Sequence, residues 1–534
     1  MRLINANTLL FEEFFGPLPP PYAILSHRWQ AEEVSHAEWR KATKTGHLPP
    51  SHPLRSKAGF RKIFRFCQFA LEAGLNYVWV DTCCIDKTSS ADLSESINSM
   101  FMWYKSAELC YAYLYDWPAG GGHWAKGRNG ASCSEWFTRG WTLQELIAPR
   151  QVVFLDRNWN PCGTRGSMAR DIAAVTGIAE RCLPFTPESN PGNLNWWVTV
   201  WERLSWASGR KTTRVEDTAY SLLGLFGINM PLLYGEREQA FRRLQEEIVK
   251  VEEDCSILAW SSLPTDKGIA SCGLATSPDH FRYHNAFARS CVSGQFEMSP
   301  LTMIQRGLQV PLLVRRDIND DSIGYAMIHR DISKDTCLII PILFSKGGLY
   351  SFTVENECAR ISDPISVPKA FMANAQRQHI CFLREPFGLQ PDIPLELRLK
   401  QRVGEEFKVN FAYPPQLWRL SQRFPMLLGK FDTTKQRPGT LIIELKNWTT
   451  GNRNLVIAQY QTFNGRLTGM VVRVAWCAPE MTLLLAEQLA QNLSGARLEF
   501  CQLVDHLGIP IQHTDILETA SNHEFLSSSD DEIS

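Results

Sequence analysis

Short apolar runs alternate with amphipathic stretches over the first 160 or so residues, and this alternation limits the fold more than any other feature of the chain. Tyr22-Ala-Ile-Leu-Ser26 reads as a strand, and Lys57 to Ala73 as a helix with Phe60, Ile63, Phe64, Cys67 and Leu71 on one stripe and Gly74 as its C-cap. Tyr77-Val-Trp-Val-Asp81 is a second strand. Ser89 or Ser90 then caps a helix carrying Leu93, Ile97, Met100, Phe101 and Tyr104, and Leu109 to Leu114 forms a third strand. A helix is expected from about Ser134 until Pro149 stops it, and Val152-Val-Phe-Leu155 is a fourth strand. Crossovers of this length imply a parallel sheet covered by helices, hence an α/β domain over residues 1–165.

The rest of the chain reads differently. Residues 166–262 carry a helical interval, clearest in Trp196 to Ser208, Val215 to Phe226 and Glu236 to Val251, where Ala240, Phe241, Leu244, Ile248 and Val251 form the apolar face. Residues 263–520 read as a β-rich domain, a sandwich or barrel. Its runs are Leu308 to Val314, Cys337 to Phe344, Tyr350 to Val354, Phe407 to Phe411, Thr440 to Leu445, Leu455 to Gln461 and Met470 to Trp476. The Ser/Asp/Glu-rich tail, 521–534, is expected to be disordered.

Composition excludes several classes of function. Lys+Arg 55 against Asp+Glu 56 leaves a net charge of −1, which offers no basic field to nucleic acid. The fifteen Cys residues show no C-x-x-C pair, so they read as reduced thiols of an intracellular, cytoplasmic protein and not as a disulfide or zinc framework. Glu12 and Glu13 interrupt the N-terminal apolar stretch and argue against a secretory signal. The most apolar window, Ala219 to Tyr234, is broken by Gly224, Gly227 and Pro231, so no membrane span is expected.

Two places can carry chemistry. In Ser134-Glu-Trp-Phe-Thr-Arg-Gly-Trp-Thr-Leu-Gln-Glu-Leu-Ile-Ala-Pro149, Trp141 and Glu145 stand four residues apart, one face of a helix. An aromatic plane beside a carboxylate can hold a flat ring or a ribose. The same spacing also suits a plain packed helix, with Trp141 in the core and Glu145 solvated or paired with Arg139 or Arg150. The second place is the rim of the sheet, where Ser26-His27-Arg28-Trp29 follows strand one and Asp81-Thr-Cys-Cys-Ile-Asp86 follows strand two. Ligands of open parallel sheets bind outside the carboxyl ends of the strands. Asp81 can accept from a ribose hydroxyl or orient Arg28, and His27 can meet a phosphate or simply cap its strand. Cys83 and Cys84 are adjacent and cannot both chelate comfortably beside His27, so no metal is expected. Gly209-Arg-Lys-Thr-Thr213 resembles a phosphate loop only superficially, because Arg210 precedes the Lys where the motif needs Gly. The Gly120 to Gly122 run reads as a surface loop.

The blocks Tyr22 to Trp29, Tyr77 to Asp86, Ser94 to Phe101 and Trp136 to Pro149 resemble, in order, those of the fungal heterokaryon-incompatibility (HET) domain. The likeness continues through Leu204-Ser-Trp-Ala-Ser208, Thr213 to Tyr220 and Pro231-Leu-Leu-Tyr-Gly-Glu236. One departure is Arg237, where the family commonly has Gly. HET domains are in turn similar to TIR domains, and Trp141-Thr-Leu-Gln-Glu145 resembles the Trp-Cys-Leu-x-Glu stretch bearing the catalytic glutamate of plant TIR NADases, with Thr142 in place of Cys. The resemblance implies a flavodoxin/TIR-like N-terminal domain in a cell-death effector acting on non-self recognition. It implies Glu145 as the catalytic group, with Ser26, His27, Arg28, Trp29, Asp81, Asp86 and Trp141 gripping NAD as substrate, no further cofactor, and self-association or a protein partner. A non-enzymatic assembly module is the alternative.

Overall fold

The computed structural model describes residues 1–384 except 17–18, 119–132, 185–197, 262–272, 283–294, 318–322, 331–334, 345–355 and 361–362, and beyond 384 the backbone of strands only. The Gly120 to Gly122 loop, Tyr350 to Val354 and the 521–534 tail lie outside the described residues. The chain divides into two compact units, Met1–Ile257 with Leu274–His284, and Leu258–Gly273 with Asn285–Ser534. The helical stretch expected as a domain of its own, 166–262, therefore shares a unit with the N-terminal sheet as far as Ile257.

A seven-stranded sheet organises the first unit. Its strands are β1 (Arg2–Asn5), β2 (Phe11–Glu13), β3 (Tyr22–His27), β4 (Tyr77–Trp79), β5 (Leu109–Tyr113), β6 (Val152–Leu155) and β7 (Pro161–Thr164), ordered β2-β1-β4-β3-β5-β6-β7. The middle four run parallel, with Ala23 opposite Val78 on one side and Leu109 on the other, and Cys110 opposite Val152. These are the four strands expected from the sequence, and β3 is buried along its whole length, as a strand covered on both faces must be. The chain moves outward from β3 to β4 and then returns past β3 to β5. That reversal places a switch point between β3 and β5, where open α/β sheets form their crevices. The antiparallel edges are an addition to the expected sheet. Met1 to Phe15 supplies β1 and β2, and β1 pairs with β4.

The helices follow the sequence with one rotation of face. Helices α1 (His36–Ala42), α2 (Ala58–Glu72), α3 (Asp81–Cys84) and α4 (Ser90–Ser106) precede β5. In α2 the buried stripe is Phe60, Ile63, Phe66, Cys67 and Ala70, whereas the expected Phe64 and Leu71 are 37% and 36% exposed. Both stripes have helical spacing, and packing selected the one that closes against the sheet. Gly74 takes the left-handed conformation expected of it, with φ 77°, and Ser89 accepts from the Asp92 amide at 3.3 Å as the cap of α4. The helix expected from Ser134 to Pro149 is broken in two. A 3-10 turn, Glu135–Thr138, leads through an extended Arg139 into α5, Thr142–Ile147.

The helical segment continues with α6 (Ala169–Thr176), α7 (Val200–Ser205), α8 (Asp217–Tyr220) and α9 (Gln239–Val251). Around Ser221 to Phe226 the expected long helix gives way to a 3-10 turn, within which Gly224 sits against Phe101 of α4 where no Cβ would fit. Val251, expected on the buried face of α9, is 63% exposed at its last position.

The second unit is β-rich, as expected. Strands Gly307–Arg316, Ile323–Arg330, Thr336–Phe344, Glu357–Arg360 and Gln376–Leu383 pair around a closed ring, antiparallel throughout except between the last two. Closure makes a barrel. Farther on, Phe407–Tyr413, Gly439–Asn447, Arg453–Phe463 and Arg466–Trp476 form an antiparallel sheet in chain order.

Arg237 adopts φ 53°, a left-handed conformation that costs a side-chain-bearing residue about 1–2 kcal/mol. It is held there because Glu216 accepts from the amides of both Gly235, at 2.7 Å, and Arg237, at 3.2 Å. This is the position where the sequence departs from the commoner Gly, and its side chain is exposed. Replacement Arg237→Gly is expected to stabilise the chain by about 0.5–1 kcal/mol after the added flexibility of the unfolded state is counted. A higher thermal midpoint checks this, and an unchanged or lower one contradicts it.

Candidate functional site

The carboxyl ends of β3 and β4 carry the polar cluster of the first unit. Ser26, next to last in β3, is fully buried, and its hydroxyl accepts from the Trp136 indole N–H at 2.8 Å. The same hydroxyl donates to Glu145 Oε2 from α5, joining residues 119 positions apart. Tyr104 of α4 donates to the Leu25 carbonyl at 3.3 Å and also lies against the Glu145 carboxyl. Two chain-distant elements, β3 and α4, thus converge on one acid.

That acid is enclosed. Glu145 is 8% exposed, and burial, offset only in part by Ser26 and Arg139, pushes its carboxyl up to about 8. A carboxyl in this setting holds its proton at neutral pH. The cavity found at Arg150, Gln151, Val152, Thr164, Arg165 and Gly166, about 180 Å³, lies at the opposite end of the sheet, before β6 begins.

Local structure explains why α5 can present Glu145 here. Asp116, just beyond β5, accepts from the Ser134 hydroxyl at 2.6 Å and the Glu135 amide at 2.7 Å, which fixes the 3-10 turn. Thr142 donates to the Trp136 and Arg139 carbonyls at 2.6 and 2.9 Å and so bends the chain into α5. At the far end, Arg165 donates to the Leu146 and Ile147 carbonyls at 2.7 and 3.0 Å, satisfying groups that a helix C-terminus leaves open. The helical segment adds a staple: Lys211 donates to the Thr138 carbonyl at 2.7 Å, and Gly140 donates to that of Lys211 at 3.0 Å. Arg210 reaches in beside them, bonding the carbonyls of Arg139 and Trp206, both at 2.9 Å. Burial brings its guanidinium down to about 10, and the nearby Glu145 acts in the opposite direction.

A second cluster adjoins the first. His27 is buried and both its ring nitrogens lack hydrogen-bond partners, with Glu33 and Asp81 oxygens each 3.8 Å from Nε2. Burial, followed by Lys62 and Lys87, holds this imidazole well below its ordinary value, so it is neutral. Glu33 pairs with Lys62. Asp81 accepts from the Trp29 indole N–H at 2.7 Å, and the Lys87 ammonium sits 3.4 Å above the Trp29 ring. Arg28 turns away to bond Tyr115 at 2.8 Å and to pair with Glu135, spanning the switch point between β3 and β5.

The remaining sequence candidates stand elsewhere. Asp86 accepts from the Thr88 amide at 3.0 Å and hydroxyl at 2.6 Å, and its other oxygen faces His36 at 3.5 Å. It stabilises a turn and meets none of the groups around Glu145. Trp141, half-buried, turns its indole to Asp217 of α8, which also accepts from Tyr234 at 3.0 Å. Its polar edge is therefore engaged by the helical segment, not by Glu145. Trp136, Tyr104, Lys87 and Arg210 are members of the two clusters that spacing does not single out.

Part of the first unit is similar in sequence to known proteins. Residues 22–126 match the family described as Heterokaryon incompatibility protein (HET). That stretch is similar to a HET domain. The matched residues hold β3, β4, β5 and the His27–Asp81 cluster, while Glu145 and Arg210 follow them. Across 241 residues the chain is 45% identical to the vegetative incompatibility protein HET-E-1 of Podospora anserina, covering 43% of this chain and 16% of that protein. The chain thus spans about a sixth of that relative. No solved structure matches the chain. No helix among the described residues is long and apolar enough to cross a membrane.

Two outcomes test this arrangement. Glu145 keeps its proton in the folded chain up to about pH 8, whereas the unfolded carboxyl loses it near 4.5. Folding therefore takes up a proton between those values, and stability falls as pH rises through the window. Glu145→Gln, which keeps an acceptor for Ser26, should match wild type near pH 4.5 and exceed it progressively up to pH 8, by at most about 5 kcal/mol. Thermal midpoints that run parallel across this range would contradict the protonated, buried carboxyl. For the staple, a Cβ on Gly140 would meet Thr212 Cγ2 at 2.4 Å. Gly140→Ala should cost about 1–3 kcal/mol. Adding Thr212→Ser, which removes that methyl and keeps the hydroxyl, should restore most of the loss in a denaturant titration.

Proposed function

We propose that the chain is an incompatibility-type effector that triggers cell death, and that its HET-bearing unit cleaves NAD at the nicotinamide–ribose bond through Glu145. The observation that carries this reading is the convergence of Ser26 and Tyr104 on Glu145 at the carboxyl end of β3, with Trp136 bonded to the same serine hydroxyl, beside the switch point of a doubly wound sheet. The nicotinamide of NAD is already a cationic leaving group, so its departure needs no general acid. The C1′–N bond breaks with its electron pair going to nicotinamide, water adds to C1′ and loses a proton, and ADP-ribose results. A carboxylate aimed at the ribose stabilises the oxocarbenium-like charge of that step.

Only the ionised carboxyl can do this. The buried, protonated Glu145 of this structure is the resting form, and turnover requires an opening that lets water or substrate reach it and draws its pKa down. The TIR-like character of the sheet and the part played by self-association belong to the same proposal; the strand order of the four parallel strands supports the first.

A second reading has its own observation. The buried Ser26–Glu145–Tyr104–Trp136 group also suits a structural knot that fixes α5 to the sheet of a non-enzymatic assembly module. Purified chain at high concentration, incubated with NAD, separates the two. The glycohydrolase releases nicotinamide, and Glu145→Gln loses at least about 100-fold in rate while remaining folded. Retention of toxicity on overexpression by a folded Glu145→Gln chain would favour the knot.

A further inference from the structure

Trp29 is 48% exposed, an unusual setting for an indole whose position is fixed from two sides. Its N–H is tied to Asp81 at 2.7 Å, and the Lys87 ammonium covers one face of the ring at 3.4 Å. The other oxygen of Asp81 lies 3.8 Å from Nε2 of the buried His27. Such a ring loses little freedom when something stacks on it, because its orientation is already set. It stands three residues beyond Ser26, whose hydroxyl donates to the Glu145 carboxyl, on the loop that leaves the carboxyl end of β3.

We propose that the open face of Trp29 is a stacking platform for the neutral purine ring of a nucleotide, and that Lys87 excludes a cationic ring from it. The inference rests on the NAD-cleaving reading for its biological meaning, since it assigns the adenine end of the dinucleotide to Trp29 and leaves the nicotinamide end to Glu145. The discrimination is electrostatic. A cation on one face already draws on the electron density of the ring, and a pyridinium on the other face would lie on the order of 7 Å from the ammonium, like charge against like. Adenine is uncharged, has a large π face and meets no such penalty. Lys87 is thus a specificity-determining residue and Asp81 a positioning residue.

Calorimetric titration of the full chain with AMP and with nicotinamide mononucleotide, whose ring is cationic, tests the proposal; with seventeen Trp residues, intrinsic fluorescence would not isolate this one. Wild type is expected to bind AMP more tightly than nicotinamide mononucleotide. Trp29→Ala should weaken AMP by roughly 5- to 100-fold and Trp29→Phe by much less, the range expected for loss of one base–aromatic stack. Lys87→Gln should narrow the preference for AMP. No AMP binding by wild type, or equal affinity in wild type and Trp29→Ala, overturns the platform. Equal losses in Trp29→Phe and Trp29→Ala overturn it too, by making the indole N–H the determinant. An unchanged preference in Lys87→Gln overturns the charge filter. AMP binding by a wild-type chain that releases no nicotinamide from NAD would remove the glycohydrolase reading and leave the platform standing.

Discussion

The hydrogen bond from Ser26 to Glu145 decides the character of the first unit. It forms in a dry setting, where a carboxyl is costly unless it is neutral or well partnered, and here it is both protonated and bonded. Everything around it serves to place one helix. Asp116 sets the turn before α5, Thr142 bends the chain into it, Arg165 caps its end, and Lys211 ladders against the residues that lead in. Without those supports, a six-residue helix would not hold a buried acid against the middle of a sheet.

Two neighbouring clusters use opposite solutions for buried charge. Around Glu145 the polar groups are few and bonded to one another. Around His27, charges of both signs crowd together, and the imidazole is left neutral with two carboxylate oxygens out of hydrogen-bonding reach. The first arrangement is economical and rigid. The second leaves polar capacity unused, which is uncommon in a packed interior and is met mostly where function outweighs stability.

Much of this is legible in the amino-acid sequence alone. The four parallel strands are compact apolar runs with clear turns between them, and periodicity finds such segments readily. The rim residues Ser26, His27, Trp29 and Asp81 follow from where those strands end. What periodicity misses is set by contacts distant in sequence. Trp136 and Tyr104 look like ordinary core aromatics until folding brings one to the Ser26 hydroxyl and the other to the Glu145 carboxyl. The spacing of Trp141 and Glu145 fits one helical face, yet the helix begins only after Trp141, and the indole is captured by Asp217, some seventy residues on. The stripe of α2 differs from its expected face for a similar reason: Phe64 and Phe66 are equally apolar, and only the sheet they meet distinguishes them. Arg210 carries no signal within its false phosphate loop, although its side chain reaches the bend before α5.

The ladder between Thr138–Gly140 and Lys211 has an evolutionary corollary. The strip bearing the acid and the strip that steadies it are encoded about seventy residues apart, on either side of α6, and their fit is steric to within one methyl group. A recombination event that exchanged only the earlier portion between divergent relatives would join two halves of a lock cut for different keys. Inheritance should therefore treat the stretch from β3 to Thr212 as a single indivisible block, with compensating drift at Gly140 and Thr212.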